Sequence, residues 1–159
     1  MSGDAPYTGG CQCGAVRFRA QSVGQASICH CRMCQKAFGG FYGPLVRAIG
    51  IEWTRGAPKH FASSNKIRRG FCADCGTPLT YEDDEVIDLA IGAFDDPELV
   101  APVIQFNPRD KLAFVDGIPA LPTRPPGENV ATEAFFTTIV SHQHPDHDTN
   151  EWHPHKEQR

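Results

Sequence analysis

Phe71-Cys72-Ala73-Asp74-Cys75-Gly76 is the stretch on which the fold turns, and Cys11-Gln12-Cys13-Gly14 is its shorter counterpart near the start of the chain. A Cys-x-x-Cys-Gly turn lets two thiolates face one point. The glycine that follows can take a positive φ, which brings nearby backbone N–H groups onto the sulfurs. Two such pairs from distant parts of the chain supply four ligands and close a tetrahedral shell. That is the stoichiometry of a structural zinc site, where metal-binding free energy is folding free energy. A zinc on Cys11, Cys13, Cys72 and Cys75 would clamp the first strand to the middle of the domain.

The three remaining cysteines form one further group, Cys29-His30-Cys31-Arg32-Met33-Cys34. Chance placement of seven cysteines would scatter several as lone core residues, yet none stands outside a group. Three sulfur ligands without a fourth match a catalytic zinc, which commonly keeps one open position. Two other readings stay open at this point. His30 or His60 would complete a second structural site, or the trio would be a redox group without metal.

The chain of 159 residues is one domain's worth, 40% hydrophobic, with 15 Gly and 13 Pro that favour turns and short strands. Its net charge of −4 offers no cationic surface for nucleic acid. No apolar run approaches the roughly 20 residues of a membrane span, and Met1 to Pro6 lack a secretory signal's basic and apolar regions. The cysteines are therefore read in a reducing compartment, the cytoplasm, where metal binding or catalysis is their usual use.

Strands are expected over residues 14–20, 41–49, 59–63, 66–72, 103–106 and 112–115, with the most apolar run, 86–93, as a central strand. In the first, Val16, Phe18 and Ala20 alternate with Arg17 and Arg19, the mark of a half-buried strand. Helices are brief. Residues 31–38 make two turns closed by Gly39-Gly40, and Asp96-Pro97 starts a single turn. The fold class is mainly β. Thr123-Arg124-Pro125-Pro126-Gly127 reads as a linker, and Asn129 caps a helix over 132–140. The following stretch holds five of the seven histidines. His142, His144 and His147 are close enough to chelate metal, but a solvated tail is the expectation.

The spacing of Cys11-x-Cys13-Gly14, Cys29-His30-Cys31-x-x-Cys34 and Phe71-Cys72-x-x-Cys75-Gly76-x-x-Leu79 resembles the glutathione-dependent formaldehyde-activating enzyme (GFA) family, which includes centromere protein V. The resemblance covers residues 6–122, extending to Asp116-Gly117-Ile118-Pro119, and leaves 123–159 as linker and tail. It implies a β-tent of packed antiparallel sheets and two zinc ions per chain. It assigns Cys11, Cys13, Cys72 and Cys75 to the structural zinc, and Cys29, Cys31 and Cys34 to the catalytic one. It also implies a carbon–sulfur lyase that joins a small-molecule thiol, glutathione, to formaldehyde. By position, Arg32 and Lys36 could hold a glutathione carboxylate or stand as solvated surface cations, and His30 could shuttle a proton or point away from the site. The alternative is a non-enzymatic, zinc-stabilised interaction module. No nucleic-acid or membrane partner is expected.

Overall fold

The computed structural model describes residues 7–153; the readings placed on Met1 to Pro6 and on His155 lie outside the described residues. Eight strands dominate: β1 Tyr7–Gly10, β2 Arg17–Cys29, β3 Gly43–Arg55, β4 Lys59–Ala62, β5 Arg68–Phe71, β6 Pro78–Glu82, β7 Ile87–Ala90 and β8 Ile104–Phe106. They join in the order β1-β2-β3-β7-β6-β5-β4 with antiparallel pairing, while β8 adds to β2 in parallel. The two long strands are register-shifted between Val23 and Ala26, and β5–β6 is shifted between Gly70 and Phe71. Bulges of this kind bend a strand and curve its sheet. The protein is a mainly antiparallel sheet with few short helices.

Most expected strands are present with moved ends. The run 86–93 forms β7, seated between β3 and β6, before turning into a 3-10 helix over Ile91–Ala93. Residues 112–115 are not a strand. Asn107 takes a left-handed φ of 53°, Pro108–Asp110 forms a 3-10 turn, and a second 3-10 helix starts at Val115. The chain has left the sheet before those apolar residues arrive. β1 and β6 were not foreseen.

The helices α1 Arg32–Phe38 and α2 Val130–Phe136 are short. Gly39 closes α1 in the left-handed conformation, and Asn129 Oδ1 accepts the Thr132 N–H at 3.0 Å to start α2. α2 ends before the expected residue 140. No helix among the described residues is long and apolar enough to cross a membrane.

Phe18 is the centre of the core, packed edge-on against Trp53 and Phe94 with ring centroids 6.0 and 5.2 Å away. Leu79, Leu89, Val46 and Ala20 belong to the same core cluster, all fully or nearly fully buried. Arg17 departs from the alternating pattern. Read as an outward residue, it is buried, because Asp95 pairs with its guanidinium at 2.6 and 2.7 Å and Asp148 caps it at 2.8 Å. Asp148 belongs to the supposed solvated tail. That expectation fails at His144, Asp148, Thr149 and Trp152, which contact the domain, while His142, Gln143, Asp146 and His147 are exposed as expected. His144 N–H donates to Gln12 O at 2.7 Å, Trp152 Nε1 donates to Cys13 O at 2.6 Å, and Arg55 donates to Thr149 O at 2.6 Å. His144 is buried against Trp152.

Candidate metal centres

Two turns build the first centre. Between β1 and β2, the Cys11 N–H donates to Val16 O at 2.9 Å, and the Val16 N–H returns to Cys11 Sγ at 3.2 Å. Between β5 and β6, the Cys72 N–H donates to Thr77 O and the Gly76 N–H to Cys72 O, both at 2.9 Å. Gly14 and Gly76 hold φ of 75° and 79°, the left-handed region a glycine enters without steric cost. The Gln12 N–H reaches Thr77 Oγ1 at 3.0 Å and ties one turn to the other.

The sulfurs of Cys11, Cys13, Cys72 and Cys75 converge, all within 4.8 Å of one another. Cys11 Sγ to Cys13 Sγ is 3.6 Å and Cys13 Sγ to Cys72 Sγ is 3.8 Å. A disulfide needs about 2.05 Å. A zinc holding each thiolate at about 2.3 Å puts tetrahedral sulfurs about 3.8 Å apart. The spacing fits the metal and not the bond.

Burial pushes the metal-free Cys72 thiol up to about 11 and raises Cys13 further still. Burial also acts on Cys75, but hydrogen bonds from the Thr77 hydroxyl and backbone outweigh it and carry that thiol down to about 6. Thiols act as metal ligands in their ionised form, so metal binding at these four would release protons.

The second centre sits where β2 ends and α1 begins. Cys29, Cys31 and Cys34 place their sulfurs within 4.8 Å of one another. Cys31 is the N-cap of α1, its sulfur accepting the Cys34 N–H at 3.4 Å. The parallel pairing of β8 with β2 carries Asn107 to the site, where its Nδ2 donates to Cys29 Sγ at 3.2 Å. Burial raises the Cys29 thiol, but the Cys31 backbone N–H and Asn107 outweigh it, and the net shift is downward. Arg69, on β5, donates to Cys34 Sγ at 3.3 Å. Burial still pushes Cys34 up to about 12 against that contact.

Neither histidine weighed as a fourth ligand joins the three sulfurs. His60, on β4, pairs with Glu82 of β6 at 2.8 Å. His30 is buried, with Nε2 on Gln105 Oε1 at 3.0 Å and Nδ1 without a partner. The tail histidines form no cluster with a metal-binding arrangement among the described residues. Sequence reading places neither Asn107 nor Arg69 at the site: Arg69 falls inside the expected strand 66–72, and Asn107 follows the expected strand 103–106.

Arg32 and Lys36 line a cavity of about 330 Å³ against α1, together with Met33 and Phe61. A neighbouring cavity of about 320 Å³ shares Lys36 and Phe61 and reaches Arg69.

Comparison with known proteins bears on the whole arrangement. A crystal structure of a Rhodobacter sphaeroides protein shares the fold with a TM-score of 0.50 at 19% identity, covering 62% of this chain and 98% of that one. The sequence model of the glutathione-dependent formaldehyde-activating enzyme family matches residues 6–109, a span holding both cysteine groups and all eight strands from β1 to β8. The chain belongs to the glutathione-dependent formaldehyde-activating enzyme family.

Proposed function

We propose that this protein is a zinc-dependent carbon–sulfur lyase of the cytoplasm that adds glutathione to formaldehyde, giving S-hydroxymethylglutathione, and runs the reverse cleavage. The observation that carries the reading is the convergence of three sulfurs, not four, beside two side-chain donors aimed at them. Cys29, Cys31 and Cys34 would hold the catalytic zinc; Cys11, Cys13, Cys72 and Cys75 would hold the structural one. When bound, a zinc with three thiolates is a weak electrophile toward water and offers its open position to a thiol that ionises on binding.

The remaining work falls to the chain. In the addition, the thiol sulfur forms the new S–C bond, the carbonyl π pair moves to oxygen, and that oxygen takes up the proton the thiol gave up. Asn107 and Arg69 hold Cys29 and Cys34 in place by hydrogen bonds to sulfur. Arg32 and Lys36 present cations to the cavity beside α1, where a carboxylate of the tripeptide would sit. Orientation of the sulfur against the aldehyde supplies the gain over free solution.

Hemithioacetal formation from glutathione and formaldehyde is the test, since the same adduct forms spontaneously. Zinc-loaded protein should raise the rate above that background, and Cys31→Ser should return it to background. Two bound metals with no rate above background would favour the zinc-stabilised interaction module.

A further inference from the structure

Among the described residues two arginines are buried, Arg17 and Arg69. Arg69 is 3% exposed, and among the described residues no carboxylate lies within ion-pair distance of it. Nε donates to Ser63 Oγ at 3.0 Å, NH2 donates to Cys34 Sγ at 3.3 Å, and the guanidinium lies 4.9 Å over the Tyr81 ring. NH1 is buried, with no hydrogen-bond partner among the described residues. A buried charge without a counter-charge is strongly unfavourable, and arginine does not escape by losing its proton. The other buried arginine shows the usual solution, since Arg17 is paired with both Asp95 and Asp148. Nothing equivalent faces Arg69 except the sulfur cluster.

We propose that Arg69 is the counter-ion of the three-cysteine centre and the residue that lets its open position take an anionic ligand. Three thiolates around a divalent cation carry one net negative charge, and Arg69 cancels it. A thiolate arriving as fourth ligand adds another negative charge, which Arg69 also offsets. A neutral ligand brings no such charge and gains nothing from the arginine. Arg69 is thus a positioning and electrostatic residue that acts through Cys34. The choice of a thiolate as natural ligand rests on the function proposed above; the counter-ion role does not.

The experiment uses the full chain loaded with cobalt at both sites. Release of the second metal to a mild chelator and the sulfur-to-cobalt absorption are followed in wild type, Arg69→Gln and Arg69→Lys. Loss of a group that orients a metal ligand typically costs about 10- to 100-fold in metal affinity. Arg69→Gln should fall in that range, while Arg69→Lys, which keeps the charge and loses the fork, should stay within about threefold of wild type. Glutathione and imidazole are then titrated onto the cobalt. Arg69→Gln should weaken glutathione by about tenfold more than it weakens imidazole.

If Lys fails as badly as Gln, or if both ligands weaken alike, Arg69 is a packing residue and the proposal falls. Should Arg69→Gln not fold, Arg69→Lys alone decides it by the same retention limit. Wild-type protein that takes imidazole but not glutathione would overturn the thiol reading, and the chelator comparison would still decide the role of Arg69.

Discussion

Glu82 shows at a single residue how this small domain holds polar groups inside. Its carboxylate is buried on β6, accepting the Thr80 hydroxyl at 2.6 Å, the His60 ring N–H at 2.8 Å and Arg68 Nε at 2.7 Å. Burial pushes the carboxyl upward, but the hydrogen bonds from Thr80 and His60, with Arg68 behind them, carry it below its ordinary value of 4.5. A folded value below the unfolded one means stability that is present above about 4.5 and is lost as pH falls through the depressed folded value. Replacing Glu82 with Gln should cost about 2 kcal/mol at pH 7, the range for hydrogen bonds to a charged group. The gap between wild type and Glu82→Gln should then narrow in urea titrations below pH 4.5. Metal loss at acid pH affects both proteins, so their difference isolates the carboxylate. A gap that stays constant with pH would show that Glu82 is held protonated. Neither Glu82 nor Asn107 was legible in the sequence. Each gains its role from a neighbour distant in the chain, and no local pattern marks such a pairing.

Elements were legible to the extent that their own side chains made them. Gly39 closes α1 as read, because a C-cap is local chemistry, while Cys31, read as the first helical residue, is the N-cap. β2 runs past the expected residue 20 although four of residues 21–25 are polar or glycine. They stay extended only through pairing with β3 across Ser22–Ile49 and Val23–Ala48. The tail was misread for the same reason. Its histidines and aspartates look solvated until Gly14, Arg17 and Arg55 are seen to receive them. A Cβ on Gly14 would run into His144 and Trp152, whereas one on Gly76 would meet nothing within 4 Å. Both glycines sit at positive φ, so alanine costs each about 1–2 kcal/mol of backbone strain. Gly14→Ala should cost more than Gly76→Ala by the loss of the docked segment, about 1–2 kcal/mol for a buried hydrogen bond and ring contact. In a Trp152→Ala background that excess should shrink to the part owed to His144, a coupling that a double-mutant cycle on thermally unfolded, metal-loaded protein measures directly. Equal penalties for the two glycines in the wild-type background would mean the segment contributes nothing to this turn.

Across the whole molecule, the two cysteine groups close very different loops. Cys11 and Cys13 follow β1, Cys72 and Cys75 follow β5, and β2, β3, β7 and β6 lie between those two strands in the strand order. A metal on these four joins parts of the sheet that no hydrogen-bonded ladder joins. It closes a loop of chain whose entropy is costly to remove by any other means. Cys29, Cys31 and Cys34 span one strand end and one helical turn, so a metal there orders little that β2, β3 and α1 have not already ordered. This division was the most legible feature of the chain, since ligand spacing is local even when the clamp is not. It gives the sharpest whole-molecule expectation. A structural zinc is worth about 10–16 kcal/mol in small zinc domains, comparable with the entire stability of a domain, about 5–15 kcal/mol. Cys72→Ser should therefore lose both metals together and lack a cooperative melting transition near that of wild type. Cys29→Ser should retain one metal and melt within a few degrees of wild type, while losing the proposed turnover. Metal content and thermal unfolding on the two variants read this directly. If they melt alike, the four-and-three partition is wrong, because only a clamp across the sheet makes one cysteine so much more consequential than the other.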